Sequence, residues 1–351
     1  MTDVRLAIVD AAHEEDPRAA GQPASCRYLT SIANAPLICH VLDELCRHEI
    51  EHVVVLAGPR AERELTSVVG AGDAWGLRVS FINAGCETPR AEVVSRLREA
   101  TCGGPSLLHA GDCLFPGQVS KLLERFHSEN FDLVTLARSA APSAVVAIED
   151  AKFGHRIRLP RERPLGTALI LGPAVWPALE DLSREGSLRS SRVLTSLESA
   201  GYRIGACDVG EHWCYWGSAK QLLIANRMVL DAIDPGPMSA IECGESHIEG
   251  RVVISPSASV SRSTIRGPAV IGAEALVEDS FIGPYTSIGS AATVVGAEMD
   301  NAMILAGAEV RYPGSRLEAS VIGERAVVSG TLSFPRAVHL RIGPDARVIL
   351  G

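Results

Sequence analysis

The sequence predicts an α/β domain with a parallel sheet, followed by a parallel β-helix. In the first part of the chain, short β-branched runs alternate with amphipathic stretches, a pattern typical of a parallel sheet covered by helices on both faces. In the last part, helical periodicity disappears and aliphatic residues return with one fixed period. The chain has 351 residues, 46% of them hydrophobic, so it is long enough to form two compact cores.

Local periodicity predicts the elements of the α/β domain. Strands are predicted for residues 5–9, 52–57, 78–82, 106–110, 132–137, 144–148, 167–171 and 203–209. Helices are predicted over 37–45, 119–126 and 188–200, and Ser218 is a suitable N-cap for a last helix that runs to about Ile233. Asp234-Pro235-Gly236-Pro237 interrupts this pattern, because neither proline can continue a helix. We therefore expect domains over 1–235 and 251–351, joined by a linker over 236–250.

Beyond the linker, aliphatic residues repeat every 17 residues in three interleaved series. The series are Ile254, Ile271, Ile288 and Leu305; Val260, Val277 and Val294; and Ile265, Ile282 and Met299. Ile322 continues the first series, and Val327 follows Val310 by the same interval. Three registers with one period predict a coil with three flat sides, an inward aliphatic residue on each side, and stacking of successive coils.

Charge and cysteine content exclude several classes of protein. The chain carries 42 acidic and 33 basic residues, a formal charge of −9, so we expect neither nucleic acid nor an anionic membrane surface as a partner. No apolar stretch is long enough to span a bilayer and the N-terminus lacks a leader pattern, which predicts a cytoplasmic protein. The nine cysteines contain no Cys-x-x-Cys pair, so we expect reduced, mostly buried thiols.

Motifs in both parts of the chain are similar to those of one known family. They are Ala33-Asn34-Ala35-Pro36-Leu37-Ile38, Gly111-Asp112-Cys113, Glu162-Arg163-Pro164, Gly201-Tyr202-Arg203, the segment from Trp213 to Asn226, and the coils at 265–272 and 282–289. They resemble the sugar-1-phosphate nucleotidyltransferases, most of all the long-form glucose-1-phosphate thymidylyltransferases. The resemblance implies a Rossmann-like (GT-A-like) nucleotidyltransferase domain followed by a left-handed β-helix of hexapeptide repeats.

The catalytic signature of that family is degenerate in this chain. The family's glycine-rich triphosphate loop aligns with residues 12–17, Ala-His-Glu-Glu-Asp-Pro, which contain no glycine. Glu14, Glu15 and Asp16 would repel a nucleotide, because each pair of like charges about 4 Å apart costs roughly 4 kcal/mol at an effective dielectric near 20. The family's phosphate-binding lysine aligns with Arg27 and its first metal-binding aspartate with Asp112. These two are the candidate catalytic residues, with Asp112 as the candidate Mg²⁺ ligand.

Other positions of the implied site also differ. Tyr215 stands where the family has its second metal-binding aspartate, which removes two-point holding of magnesium. Arg189 and Arg192 replace a sugar-contacting glutamate and an aspartate. The candidate ligand-binding residues are therefore Arg163, Arg189, Arg192, Trp213 and Tyr215. Trp213 and Tyr215 also have a simpler interpretation as packing residues.

Three functions remain open from the sequence. The first is a catalytically silent relative that binds a nucleotide or sugar nucleotide, or regulates an active relative, as a homo-oligomer or hetero-oligomer. The second is an active sugar-1-phosphate nucleotidyltransferase with a rebuilt site that uses Mg²⁺. The third is another transferase, such as an acyltransferase, although His247 and His339 lie in no recognisable catalytic setting. Two weaker alternatives are a nucleophile built from Cys26, His13 and Asp112, and a zinc site at Cys207, His212 and Cys214.

Overall fold

A computed structural model describes residues 3–12, 26–139, 157–158, 168–186, 190–208, 212–214, 218–234 and 245–330. The chain divides into two compact units, Met1–Ile233 and Asp234–Gly351. The predicted linker lies largely outside the described residues, as does the predicted strand over 144–148. The predicted bounds of the linker therefore stay a prediction.

The first unit is built on one large sheet. Its main strands are β1 (Leu6–Ala11), β2 (His52–Ala57), β3 (Arg78–Asn83), β4 (Ser106–Ala110), β5 (Leu133–Ser139), β6 (Ala168–Leu171) and β7 (Ile204–Asp208). They lie in the order β7-β5-β6-β4-β1-β2-β3, and the short strand Ile157–Arg158 pairs with β5. The chain adds β2 and β3 on one side of β1 and β4 on the other. The carboxyl ends of β1 and β4 thus form a topological switch point, the place where open α/β sheets bind ligands.

The expectation of an entirely parallel sheet is wrong at β6. This strand runs antiparallel to both of its neighbours, with Leu169 opposite Leu108 on β4 and opposite Thr135 on β5. All four residues of β6 are buried, and a fully apolar run has the same pattern in either direction. Periodicity predicts the strand, but it cannot predict its orientation.

Helices cover both faces of the sheet. They are α1 (Leu37–Cys46), α2 (Pro59–Val69), α3 (Arg90–Ala100), α4 (Gln118–Glu129), α5 (Trp176–Arg184), α6 (Ser190–Ser199) and α7 (Ala219–Asp231), and short 3₁₀ turns lie at Arg27–Leu29, Asp73–Trp75 and Pro173–Val175. The sequence patterns did not predict α2, α3 and α5. The Ser218 hydroxyl accepts a hydrogen bond from the Gln221 N–H at 3.3 Å, which confirms the predicted cap of α7.

Alternation along β1 creates two hydrophobic cores. Ala7 and Val9 pack in one buried cluster with residues of α1, α2 and α4. Leu6 and Ile8 pack in a second cluster with residues of α3, α5 and α6. Successive side chains of a strand point to opposite faces, so a strand that is apolar at every position requires cover on both sides. The predicted arrangement of helices on both faces is confirmed.

The second unit is a parallel β-helix made of three five-stranded parallel sheets. The first sheet contains His247–Glu249, Thr264–Arg266, Phe281–Ile282, Glu298–Asp300 and Leu317–Glu318; the second Val252–Ile254, Ala269–Ile271, Thr286–Ile288, Met303–Ile304 and Val321–Ile322; the third Ser259–Ser261, Leu276–Glu278, Thr293–Val295, Glu309–Arg311 and Val327–Ser329. Aliphatic residues of all three sheets fill one buried cluster. The β-helix predicted from the repeat is confirmed, while its left-handed sense stays a prediction.

The predicted repeat is wrong by one position at Leu305 and at Val327. Ile288 pairs with Ile304, not with Leu305, because the chain from Met299 to the next sheet is one residue shorter than in the preceding coils. Val310 pairs with Val328, not with Val327, after a longer connection that precedes Leu317. The register therefore departs from a strict period of 17 after Met299, and Val327 is 66% exposed.

Candidate functional site

Asp112 lies at the topological switch point of the sheet, two residues beyond the end of β4. The Gly111 N–H donates a hydrogen bond to the Asp10 carbonyl oxygen at 2.9 Å, which fixes the end of β4 against the end of β1. A Cβ atom at position 111 would lie 3.0 Å from both that oxygen and Val9 Cγ1. Glycine therefore permits the close approach that places Asp112 at this edge.

Arg27 and Asp112 form a largely buried ion pair. Arg27 Nη1 lies 3.3 Å from Asp112 Oδ2, and the two side chains are 16% and 4% exposed. Arg27 begins a 3₁₀ turn whose preceding residue is held in place, because the Cys26 N–H donates to Glu64 Oε2 on α2 at 3.3 Å. The other oxygen of Glu64 accepts from Arg60 Nε at 3.0 Å. The structure thus brings together the two candidate catalytic residues, but it joins them to each other.

The described residues do not fit a magnesium site at Asp112. Magnesium requires several oxygen ligands in near-octahedral geometry. One carboxylate oxygen of Asp112 is paired with Arg27, and no group of three histidine, cysteine or acidic residues in the described ranges is arranged to hold a metal ion. Tyr215, at the position of the second metal-binding aspartate, lies outside the described residues.

The segment after Asp112 is cross-linked to the segment before α7. Cys113 and Cys214 form a disulfide and lie opposite each other in an antiparallel pair of short strands, Cys113–Leu114 and Trp213–Cys214. The expectation that the thiols are reduced is wrong for this pair. The sequence could not indicate it, because two-residue strands leave no periodic pattern and the two cysteines are 101 residues apart.

The other cysteines also differ from the sequence prediction. Among the described cysteines outside the disulfide, Cys46, Cys86 and Cys102 are exposed and only Cys207 is buried, so the expectation of mostly buried thiols is wrong. The alternative zinc site loses a ligand, since Cys214 is part of the disulfide.

Of the remaining candidate residues, the structure describes Trp213 and Arg192. Trp213 is 3% exposed and packs with Ile32, Leu37, Leu114 and Ala225. Arg192 Nη2 lies 3.2 Å from Glu185 Oε2 on the surface. His13, Glu14, Glu15, Asp16, Arg163, Arg189 and Tyr215 lie outside the described residues. Their predicted roles stay predictions.

His109, which is in none of the sequence motifs described above, is a buried histidine close to Asp112 in the chain. It lies on β4 with 1% exposure, and its Nδ1 donates to the Ala110 carbonyl oxygen at 2.8 Å. Burial is the main cause that lowers the pKa of His109 to about 4, so the ring is neutral near pH 7. The Phe115 ring packs edge-on against it, with centroids 5.1 Å apart. The signal for this residue in the sequence is a single histidine within the apolar run of β4.

Comparisons with known proteins agree with this architecture. No family model matches the chain. It is 27% identical over 334 residues to a glucose-1-phosphate thymidylyltransferase of Streptomyces griseus, covering 92% of this chain and 93% of the relative. It is 25% identical over 337 residues to the low-salt glycan biosynthesis nucleotidyltransferase Agl11 of Haloferax volcanii, covering 92% and 94%. The resemblance to the sugar-1-phosphate nucleotidyltransferases is confirmed.

A solved structure supports the fold described above for this chain. It is a Bacillus anthracis protein described as a glucose-1-phosphate thymidylyltransferase, with a TM-score of 0.52 and 15% identity, covering 66% of this chain and 96% of that one. The 92% coverage by the sequence relatives includes parts of both units. In the described ranges, no helix is long and apolar enough to cross a bilayer.

Proposed function

We propose that this chain binds a nucleotide or a sugar nucleotide without transferring the nucleotidyl group, and that it acts as a ligand-binding or regulatory relative of the nucleotidyltransferases. The observation that carries this proposal is the ion pair between Arg27 and Asp112. By the resemblance, Asp112 would hold a metal ion and position 27 a phosphate. A guanidinium on the carboxylate satisfies both charges within the protein, so neither group is available without breaking the pair.

The charges explain why transfer is lost while binding is retained. Nucleotidyl transfer depends on positioning and on neutralising the charge that develops on the phosphates, and a metal ion supplies much of both. Arginine can bind phosphate oxygens through its planar fork of donors. A ligand phosphate that draws Arg27 away from Asp112 would therefore bind at this edge, but it would leave only one carboxylate there to hold a metal.

A pyrophosphate-release assay tests the proposal. The chain is incubated with dTTP or UTP, glucose 1-phosphate and Mg²⁺, with the Streptomyces griseus relative as the positive control. We expect no release of pyrophosphate above the protein-free rate. In parallel, dTDP-glucose and UDP-glucose are expected to raise the melting temperature of the chain without Mg²⁺. Magnesium-dependent release by the purified chain would refute the proposal.

The second candidate function is active nucleotidyl transfer with a rebuilt site. The position of Asp112 at the carboxyl ends of β1 and β4, with a guanidinium beside it, favours this alternative. In that case Arg27 would leave Asp112 to bind a phosphate, and Asp112→Asn would abolish pyrophosphate release. The same substitution would leave the stabilisation by dTDP-glucose largely intact if the chain only binds its ligand through Arg27.

We also propose a cytoplasmic location and self-association through the β-helix, with an active relative as the alternative partner. Each coil buries its aliphatic residues against the next, which leaves flat outer faces suited to association. Light scattering coupled to size-exclusion chromatography, alone and with an active relative, measures the mass of the assembly. A monomer under both conditions would contradict the proposal.

A further inference from the structure

A covalent cross-link lies directly beside Asp112. Cys113 follows Asp112 in the chain, and its disulfide partner Cys214 follows Trp213. By the resemblance, the two metal-binding carboxylates would belong to these same two segments, at positions 112 and 215. The disulfide joins the segment that contains Asp112 to the segment that precedes α7.

The short strands provide little pairing of their own. They share two register positions, Trp213 opposite Leu114 and Cys214 opposite Cys113. An isolated two-stranded pair is marginally stable at best in water. The disulfide closes a long loop, since the cysteines are 101 residues apart, and long loops are where a cross-link restricts the unfolded chain most. The covalent bond is thus a major constraint on this pair, in addition to the packing of Trp213.

The sulfur of Cys113 is also close to the carboxylate. Cys113 Sγ lies 3.6 Å from Asp112 Oδ1, while Asp112 Oδ2 faces Arg27. A thiol at Cys113 is a weak hydrogen-bond donor, whereas a disulfide sulfur has no proton to donate. Oxidation therefore changes the donors available to Asp112 as well as the connection between the two segments.

We propose that Cys113 and Cys214 form a redox-sensitive cross-link that fastens the segment after Asp112 to the segment before α7. An external dithiol attacks one sulfur and breaks the S–S bond through a mixed disulfide. Two electrons and two protons pass to the two cysteines, which become thiols, and the dithiol becomes a disulfide. This proposal does not rest on the proposed function, because it concerns the state of the chain without a ligand.

Access to the sulfurs sets how the exchange proceeds. Cys113 is 0% exposed and Cys214 is 9% exposed, so we expect the dithiol to attack Cys214. Burial slows this attack until the short strands separate. Because the strands share only two register positions, local opening requires less free energy than unfolding of the whole unit. Reduction is therefore expected in the folded protein, at a rate below that of an exposed disulfide.

Peptide mapping and hydrogen exchange on the full chain test this cross-link. The protein is equilibrated in buffers with different ratios of reduced to oxidised dithiothreitol, free thiols are alkylated, and peptides are identified by mass spectrometry. We expect a Cys113–Cys214 cross-linked peptide in oxidising buffer and two alkylated cysteines in reducing buffer. Amide protection at 112–114 and 213–214 is expected to fall at least tenfold on reduction, while β2 keeps its protection.

Variants separate this effect from general thiol effects. The exposed cysteines Cys46 and Cys86 provide the control, since neither is part of the disulfide. Reduction is expected to lower the melting temperature of the wild type and of Cys46→Ser/Cys86→Ser by roughly 5–15 °C. Cys113→Ser/Cys214→Ser is expected to be insensitive to dithiothreitol. If that variant does not fold, peptide mapping and exchange on the wild type decide alone.

Three results would overturn the proposal. The first is the absence of the cross-linked peptide in oxidising buffer. The second is unchanged protection at 112–114 and 213–214 after complete reduction. The third is a folded Cys113→Ser/Cys214→Ser variant whose melting temperature responds to dithiothreitol as the wild type does.

Discussion

Removing one member of the Arg27–Asp112 pair should lower the free energy of unfolding by more than half of the loss that removing both members causes. At 3.3 Å and an effective dielectric near 20, the attraction between the charges is about 5 kcal/mol before desolvation is subtracted. Truncating one partner of a buried pair typically costs about 3–5 kcal/mol, because the other charge stays buried. The pair is therefore suited to a double-mutant cycle.

The two single variants should differ. Arg27→Met leaves a carboxylate that is only 4% exposed, and we expect it to lower the free energy of unfolding by about 3 kcal/mol. Asp112→Asn leaves a guanidinium that is 16% exposed and on a longer side chain, so we expect a smaller loss of about 2 kcal/mol. The double variant should lose less than the sum of the two by at least 1 kcal/mol.

Urea denaturation followed by tryptophan fluorescence measures these values. All four tryptophans precede residue 234, so the signal reports the first unit and not the β-helix. Equal slopes of unfolding free energy against urea are required for the comparison. Additivity of the two single losses to within about 0.5 kcal/mol would refute the ion pair as an energetic unit.

Three further predictions concern other parts of the molecule. Burial lowers the pKa of His109 from 6.5 to about 4, so between these pH values the unfolded chain binds a proton that the folded chain does not. The free energy of unfolding should therefore fall by about 3 kcal/mol as the pH drops from 6.5 to 4. In urea titrations at several pH values, His109→Gln should remove this part of the pH dependence. Gly205→Ala should lower the free energy of unfolding by about 1–3 kcal/mol, because its Cβ would lie 2.8 Å from the Phe131 ring. Two guanidinium groups flank that ring, at 5.5 and 5.7 Å from its centroid. Gly104→Ala is the control, and equal melting temperatures of the two variants would contradict the clash. Ile288→Ala should destabilise the β-helix by about 2–5 kcal/mol in calorimetry, without shifting the unfolding transition that tryptophan fluorescence reports. Val327→Ala, at an exposed position, is the control and should change the free energy of unfolding by under about 0.5 kcal/mol. Similar losses for the two variants would show that Ile288 is not a core position.

The sequence predicts those features that periodic patterns encode. Each of the strands β1 to β7 corresponds to a predicted run, whereas the two-residue strand Ile157–Arg158 does not, and the alternating coils follow from the period of 17 up to Met299. Beyond it, the chain offers adjacent aliphatic residues at Ile304 and Leu305, and either one fits an inward position. A connection that is one residue shorter selects Ile304, and no property of the two side chains indicates this shift.

The candidate site could be predicted only in part. The resemblance selected Arg27 and Asp112 separately, each for its own role. Their contact joins residues 85 positions apart, and it depends on how the 3₁₀ turn at Arg27 is placed over the end of β4. Neither hydrophobic periodicity nor a motif encodes that placement. The disulfide has the same origin, since Cys113 and Cys214 are 101 residues apart in the chain and only the tertiary structure brings them together.

The Asp112 carboxylate is paired with a guanidinium, and a sulfur of the disulfide lies beside it. Oδ2 faces the Arg27 guanidinium at 3.3 Å, and Oδ1 lies 3.6 Å from the sulfur of the cross-linked Cys113. For Asp112 to take the metal-binding role that the resemblance implies, Arg27 must first release the carboxylate, and a second carboxylate is needed because one acidic group holds magnesium poorly. The first of these changes is unfavourable on its own, since Arg27→Met leaves the Asp112 carboxylate, which is only 4% exposed, without this partner. The ion pair therefore opposes metal binding by Asp112 at this edge of the sheet.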